Sequence, residues 1–298
     1  MIEAVDAPAA ITTRCPVCGS AEHEVVFELG PSPNPLNVPG AIARCRRCPM
    51  WFKILSEPAR VAEAYGDAYA ENEGTDEYMA GPAARAFFRR VLRQLGDVER
   101  SARPALLDIG AGQGALVEEA AALGYETLGI DRCEPLARRA RAKGLRVESA
   151  NADSLEGADR FDVVTMMDVI EHVPEPRRLL ATARCLLKPM GRLVVYTPNH
   201  RGAVVVLAKA MHALGAGVAV REIFGGNHVC FFDDRSLPRA LQAEGFTLDA
   251  LELSPYDPAR PGGPVSRASL AAVTAVEWLG KPFNRTFRML ALATKGSR

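Results

Sequence analysis

No excess of either charge exists in this chain, because 36 Lys and Arg offset 36 Asp and Glu. Nucleic-acid binding normally leaves a basic surplus, so a nucleic-acid partner is not expected, though a local basic patch is not excluded. Residues 1–13 lack a basic start followed by an apolar run, so no signal peptide is expected. No long apolar stretch is free of charge either. The most apolar one, Ala203 to Val220, sits at the lower length limit for a membrane span and contains Lys209 and His212. A buried or covering helix is expected there, with no transmembrane segment. Repeats and low-complexity tracts are also missing, leaving an ordinary globular balance of 48% apolar and 24% charged residues. The expectation is a soluble cytoplasmic enzyme with one large domain and a small accessory one.

The seven cysteines form an odd set without a secretory start, which argues against a disulfide framework. Four of them fall in two tight pairs, Cys15-Pro16-Val17-Cys18 and Cys45-Arg46-Arg47-Cys48. A two-residue gap lets both thiolates of a pair point at one ion, and two pairs complete a closed tetrahedron. Four thiolates leave no open coordination position, so the ion is expected to be structural rather than catalytic. Zinc leads. Iron takes the same ligands and stays open, although nothing else in the chain suggests electron transfer. In a segment with few apolar residues, metal binding would supply much of the folding energy.

Three regions differ in texture: residues 1–58 with the cysteine pairs, residues 59–104 with helical periodicity, and residues 105–298. The run Gly30 to Pro35 must be loop, since its prolines remove ladder donors. In Ala83 to Leu95, apolar residues recur at three- and four-residue spacing, which predicts a helix. Beyond Pro104, short apolar runs alternate with helical segments. Strands are predicted over Ala105–Ile109, Thr127–Ile130, Arg146–Glu148, Phe161–Met166, Gly191–Tyr196, Thr247–Leu253 and Arg288–Thr294. Helices include Ala115–Leu123 and Pro135–Lys143. This alternation predicts an α/β fold with a parallel sheet covered on both faces.

The phosphate-binding fingerprint G-x-G-x-x-G is absent. In its place, Asp108-Ile109-Gly110-Ala111-Gly112-Gln113-Gly114 follows a buried strand and turns directly into a helix. Glycines at such a turn let a ligand approach the backbone, beyond the carboxyl ends of the strands. An acid before them would repel a pyrophosphate but suits a cationic, phosphate-free adenosine cofactor, S-adenosylmethionine. The next strand ends in Asp131, about 20 residues on, where ribose hydroxyls are accepted. Asp153, after Ala152, is placed to accept the adenine amino group. The expected cofactor-binding set is Asp108, Gly110, Gly112, Gly114, Asp131, Arg132, Ala152, Asp153 and Asp168. Each acid alone could instead be a helix cap or a solvated charge.

Residues 105–199 resemble the class I S-adenosylmethionine-dependent methyltransferases, and look most like the branch with the ubiquinone-biosynthesis O-methyltransferases. The matching segments are Leu107 to Gly114, Gly129-Ile130-Asp131, Phe161 to Val164, Asp168 to Val173, and Leu187 to Asn199, with Met190 where the family often has glycine. The resemblance implies a Rossmann-like seven-stranded sheet whose last strand is antiparallel. The cysteine pairs, followed by Tyr65, Tyr69 and Tyr78, are also similar to sugar C-methyltransferases that join a zinc module to this catalytic domain. This sequence is shorter than those enzymes and no counterpart of their extra C-terminal domain is expected in it, so their substrate is not carried over. By resemblance the tyrosines close over the cofactor; otherwise they are aromatic packing.

Two candidates for a general base stand out. His172 follows Asp168 and Glu171 at the cofactor edge, with a plain helix start as the alternative. His228 lies in the glycine-flanked loop Gly225-Gly226-Asn227-His228 and ranks slightly ahead. Residues 201–228 form an insertion that in related folds covers the acceptor pocket; ordinary packing and a homodimer contact are the alternatives. The expected function is methyl transfer to a small biosynthetic or natural-product acceptor, with O-methylation ahead of C-methylation on a sugar or other carbon acid. A zinc-bearing RNA methyltransferase and a binding protein that has lost transfer compete. An Asn-Pro-Pro-Tyr-like motif, which the RNA reading would favour, is absent after the fourth strand of the sheet.

Overall fold

The structure, a computed structural model, describes residues 13–30, 37–56, 67–71, 78, 80–95, 103–215, 218–255 and 267–296. Tyr65 and the whole of residues 31–35 lie outside the described residues.

The chain opens with three antiparallel strands, β1 (His23–Leu29), β2 (Gly40–Cys45) and β3 (Trp51–Leu55). A single helical turn, α1 (Asp67–Ala70), precedes α2 (Pro82–Gln94). Proline at the first turn costs α2 no hydrogen bond, and its buried face is Ala84, Phe88, Val91 and Leu92. Strand and helix then alternate: β4 (Ala105–Ile109), α3 (Ala115–Ala122), β5 (Glu126–Asp131), α4 (Glu134–Ala142), β6 (Val147–Ser149), β7 (Phe161–Met167), α5 (Pro176–Leu186) and β8 (Leu187–Pro198). Two helices, α6 (Ala203–Ala213) and α7 (Val218–Phe224), lead to a two-residue strand β9 (Cys230–Phe231). The chain ends with α8 (Ser236–Ala243), β10 (Phe246–Ser254), α9 (Arg267–Gly280) and β11 (Arg288–Lys295).

Seven strands form one sheet in the order β10-β11-β8-β7-β4-β5-β6, and β11 alone runs against its neighbours. The expected Rossmann-like fold with an antiparallel last strand is therefore present. The central strands carry apolar side chains on both faces, as strands buried under two helical layers must. Because β11 is reversed, its first residue, Arg288, pairs with Pro198 at the carboxyl end of β8. That is the ligand-binding edge of such a sheet.

The second sheet, β1-β2-β3-β9, crosses the boundary at residue 58, since β9 is supplied from far along the chain. Its face packs with α6 and α7 through Ile42, Val205, Val220, Phe224 and Phe231. Another buried cluster runs without a break from Cys15, Val17 and Phe52 through Val229 to Ile170 and Val164. The cysteine segment and the large sheet thus share a core.

Candidate functional site

The turn after β4 forms a backbone cradle. Gly110, Gly112 and Gly114 all have positive φ, at 78°, 53° and 82°. Gly110 is constrained twice, since an added Cβ would also lie 2.3 Å from Cγ2 of Val169. The amides of Gly110 and Ala111 both donate to the Ile130 carbonyl, at 2.8 and 3.0 Å. Asp131, at the end of β5, accepts from the Gly112 amide at 2.7 Å and from the Cys133 amide at 2.8 Å. Its carboxylate therefore ties the glycine turn to the start of α4, and each oxygen keeps a lone pair.

Asp108 is buried at 3% exposure and accepts a 2.6 Å hydrogen bond from the Thr165 hydroxyl. Burial pushes its carboxyl up to about 7. A buried acid beside a glycine cradle suits a cationic ligand, which would restore its ionised form. Tyr69 lies over the same edge, packed with Ala70, Cys133 and Leu136. Burial, then the carboxylates of Asp131 and Asp168, push its phenol above the ordinary range. These features fit an adenosine cofactor with a positively charged amino-acid arm.

The remaining cofactor candidates sit as follows. Ala152 is buried in a short 3-10 turn, and Arg132 is exposed. Asp153 accepts from the Thr182 hydroxyl at 2.7 Å and pairs with Arg178 at 2.9 Å, so α5 already holds its carboxylate. Asp168, at the end of β7, adopts φ 54°, a strained conformation for a residue with a side chain. It pairs with Arg288 at 2.6 Å and accepts from the Tyr78 hydroxyl, which in turn accepts from Arg288 at 2.6 Å.

Beyond Asp168, Ile170–His172 form a 3-10 turn. Here the two histidines meet. The rings of His172 and His228 pack edge to face, with centroids 4.6 Å apart. Burial pushes His172 down to about 4 and His228 well below the usual imidazole range. Both are therefore neutral at neutral pH. His172 Nδ1 lies 3.4 Å from the Asn227 carbonyl, a placement that favours the Nδ1–H tautomer and leaves Nε2 as an acceptor. Glu171, 1% exposed, accepts from the Thr197 hydroxyl at 2.8 Å, while its Oε1 is buried without a hydrogen-bond partner. Burial and then Asp168 raise this carboxyl to about 8. The ligand atoms of Glu171, His172 and His228 lie within 4.8 Å of one another, a donor set that a divalent cation accepts.

Far from this edge in sequence, Cys15, Cys18, Cys45 and Cys48 converge with all four sulfurs within 4.8 Å. The Cys15–Cys48 and Cys18–Cys45 sulfurs are 3.5 Å apart. Four sulfurs at about 2.3 Å from a tetrahedral zinc would be spaced comparably. The Arg47 amide donates to the Cys45 sulfur at 3.3 Å, support that stabilises a thiolate. The mutual contact raises the Cys15 thiol and lowers that of Cys48, so the second of the pair ionises the more readily.

Three site residues escaped sequence reasoning. Arg288 does so because only the reversed strand brings it to this edge. Glu171 was named as a neighbour, but its isolation from water is a tertiary property. Lys53 is 2% exposed, and its signal was a lone charge in the apolar strand Trp51-Phe52-Lys53-Ile54-Leu55.

Comparison with known proteins agrees with this geometry. The methyltransferase-domain family profile matches residues 77–251. The ubiquinone biosynthesis O-methyltransferase of Xanthomonas axonopodis pv. citri is 33% identical over 184 residues, spanning 58% of this chain and 73% of that protein. The protein of the same name from Caulobacter vibrioides is 37% identical over 164 residues, covering 51% and 64%. Among solved structures, one from the complex of the Haloferax volcanii Trm112 methyltransferase activator with a methyltransferase superposes with TM-score 0.56 at 16% identity, covering 78% of this chain and 97% of that one. The [4+2]-cyclase SpnF gives TM-score 0.52 at 19% identity, covering 76% and 86%. A cyclase on this fold shows that architecture alone does not fix the reaction. The sequence match over more than half the chain, together with the acidic glycine cradle, does fix the family: the chain belongs to the methyltransferase-domain family and is an S-adenosylmethionine-dependent methyltransferase.

Proposed function

We propose that this enzyme methylates a hydroxyl group of a small molecule. The observation that carries the reading is the pair of neutral, half-buried imidazoles, His172 and His228, packed edge to face beside the cofactor edge. The relatives named ubiquinone biosynthesis O-methyltransferase support oxygen as the acceptor atom. Bound adenosylmethionine supplies an electrophilic methyl group. Around it, Asp108 and the glycine turn hold the amino-acid arm and Asp131 takes the ribose hydroxyls. Arg132, Ala152 and Asp153 flank the adenine, and Asp168 shapes the edge. His228, assisted by His172 Nε2, accepts the proton of the acceptor hydroxyl as the methyl group arrives. Desolvation keeps both rings neutral, so that lone pair is free. The acceptor oxygen becomes strongly acidic as it bonds to the methyl group, so a weak base suffices. Holding the acceptor oxygen against the methyl group lets positioning contribute part of the rate.

The four cysteines hold one structural zinc ion in this reading. A cytoplasmic location and a biosynthetic role are proposed with it. The net neutral charge of the chain favours a small molecule over RNA.

The test uses methyl-labelled adenosylmethionine with 3,4-dihydroxybenzoate as a catechol probe, beside calorimetry with S-adenosylhomocysteine. Label on a phenolic oxygen, and a loss of about 10²–10⁴ in rate for His228→Ala, are expected. Label on carbon, or full turnover in both His228→Ala and His172→Ala, would refute the proposed chemistry. Steeply salt-dependent binding of RNA would instead favour the RNA alternative.

A further inference from the structure

We infer that Lys53 is a positioning residue for the acceptor side of the site: its ammonium locks the loop bearing His228 onto the cysteine segment. This rests on the reading that His228 faces the acceptor. Lys53 Nζ donates to the carbonyls of Val38 and Gly226, at 3.0 Å each. One carbonyl belongs to the cysteine segment and the other to the loop two residues before His228.

The same contact is reinforced on every side. The Val38 amide donates to the Gly226 carbonyl at 3.0 Å, and the Gly226 amide donates to the Asn37 side chain at 2.8 Å. The Lys53 amide donates to the Val229 carbonyl at 2.8 Å, extending the β3–β9 pairing of Phe52 with Cys230. Val229 in turn donates from its amide to the Glu171 carbonyl at 2.8 Å. An unbroken series of contacts therefore runs from Val38 and Lys53 through residues 226–229 to Glu171 and His172.

A buried ammonium is an expensive way to make such a joint. Burial pushes Lys53 down to about 7, so the fold opposes its charge. An apolar side chain of similar length would fill the space at less desolvation cost. What that side chain could not do is hold two carbonyls from distant segments at one point. The joint therefore serves placement of the loop rather than stability of the fold.

This separates the positioning role from a structural one. Lys53→Met saves the desolvation of the ammonium but leaves the Val38 carbonyl without that donor, so the melting temperature of the full chain should move by only a few degrees. Its amide hydrogen exchange at residues 225–230 should be roughly tenfold faster. Residues 105–131 should exchange as before, and S-adenosylhomocysteine should bind within about twofold of the parent affinity, since the glycine turn, Asp108 and Asp131 lie outside the series of contacts. Lys53→Gln, which keeps an N–H donor, should fall between parent and Lys53→Met. Unchanged exchange at 225–230 would overturn the inference, and so would a uniform rise that includes 105–131. Failure of both variants to fold would also overturn it, by showing Lys53 to be structural. None of these readings requires methyl transfer, so they stand apart from the test of His228 as the base.

Discussion

Asp108 shows how one buried side chain can set both ligand preference and pH response. Its carboxyl is raised from an ordinary 3.8 to about 7 because burial disfavours the charged form. With the folded pKa above the unfolded one, the folded state binds more protons between these values. Stability without ligand must then fall as pH rises through that window, and the full cost is felt above about pH 7. A bound cation reverses the sign by favouring the carboxylate. Asp108→Asn should therefore be more stable than the parent at pH 8, by about 1–3 kcal/mol, and equal to it at pH 4. The same variant should bind S-adenosylhomocysteine at least about tenfold more weakly. Denaturant titrations at the two pH values, with calorimetry, check both. A variant less stable than the parent at pH 8 would contradict the assigned burial cost. The acid itself was legible in the sequence, because Asp108 stands directly before the glycines. Its raised pKa was not, since it arises from burial between the strands on either side, which outweighs the lowering effect of the Thr165 hydrogen bond.

Elements were read from the sequence with uneven success, for physical reasons. The alternating half was clear because each strand is a continuous apolar run bounded by turn residues. The predicted Ala105–Ile109 matches β4 at both ends, and the others differ by a few residues. β8 starts at Leu187 rather than Gly191, because a register shift lets Leu187 pair with Phe161 before Val163 pairs with Arg192. The second sheet was invisible, since β9 has two residues and exists only by pairing with β3. Such long-range pairing leaves no local period to detect. The turn between β4 and α3 tolerates little change. Gly110→Ala would combine a left-handed φ with a Cβ 2.3 Å from Val169, so strand, turn and the 3-10 segment cannot all keep their places. A loss of about 2–3 kcal/mol in stability is expected, with binding of S-adenosylhomocysteine below detection. Gly124→Ala has the same sign of φ and open space around it, so it should cost only about 1 kcal/mol and leave binding intact. Equal effects in the two variants would remove the cradle from the account.

At the scale of the molecule, the cysteine segment is joined to the catalytic edge rather than appended to it. Cys15, Cys45 and Cys48 are buried in the same cluster as Val229, Ile170 and Val164. An ion held by four thiolates would therefore stabilise one end of a core whose other end carries His172. Thiols must shed their protons to bind a metal, so affinity falls as pH drops. Trp51 offers a local reporter, because it lies on β3 against Phe224, with the Lys209 ammonium 3.7 Å from its ring centre. The chain has two tryptophans, and Trp278→Phe leaves Trp51 as the single emitter. The purified protein should contain one zinc per chain and no visible absorbance, whereas iron would colour it. Chelator at pH 6 should shift Trp51 emission and speed exchange at residues 225–231 while the cooperative melting of the seven-stranded sheet persists. At pH 8 the same chelator concentration should act far more weakly, because the ionised thiolates hold the metal. Loss of the whole melting transition on chelation would mean that the large sheet cannot stand without the ion. Emission and exchange unmoved by metal removal would mean that the β3–β9 joint, rather than the ion, orders the segment.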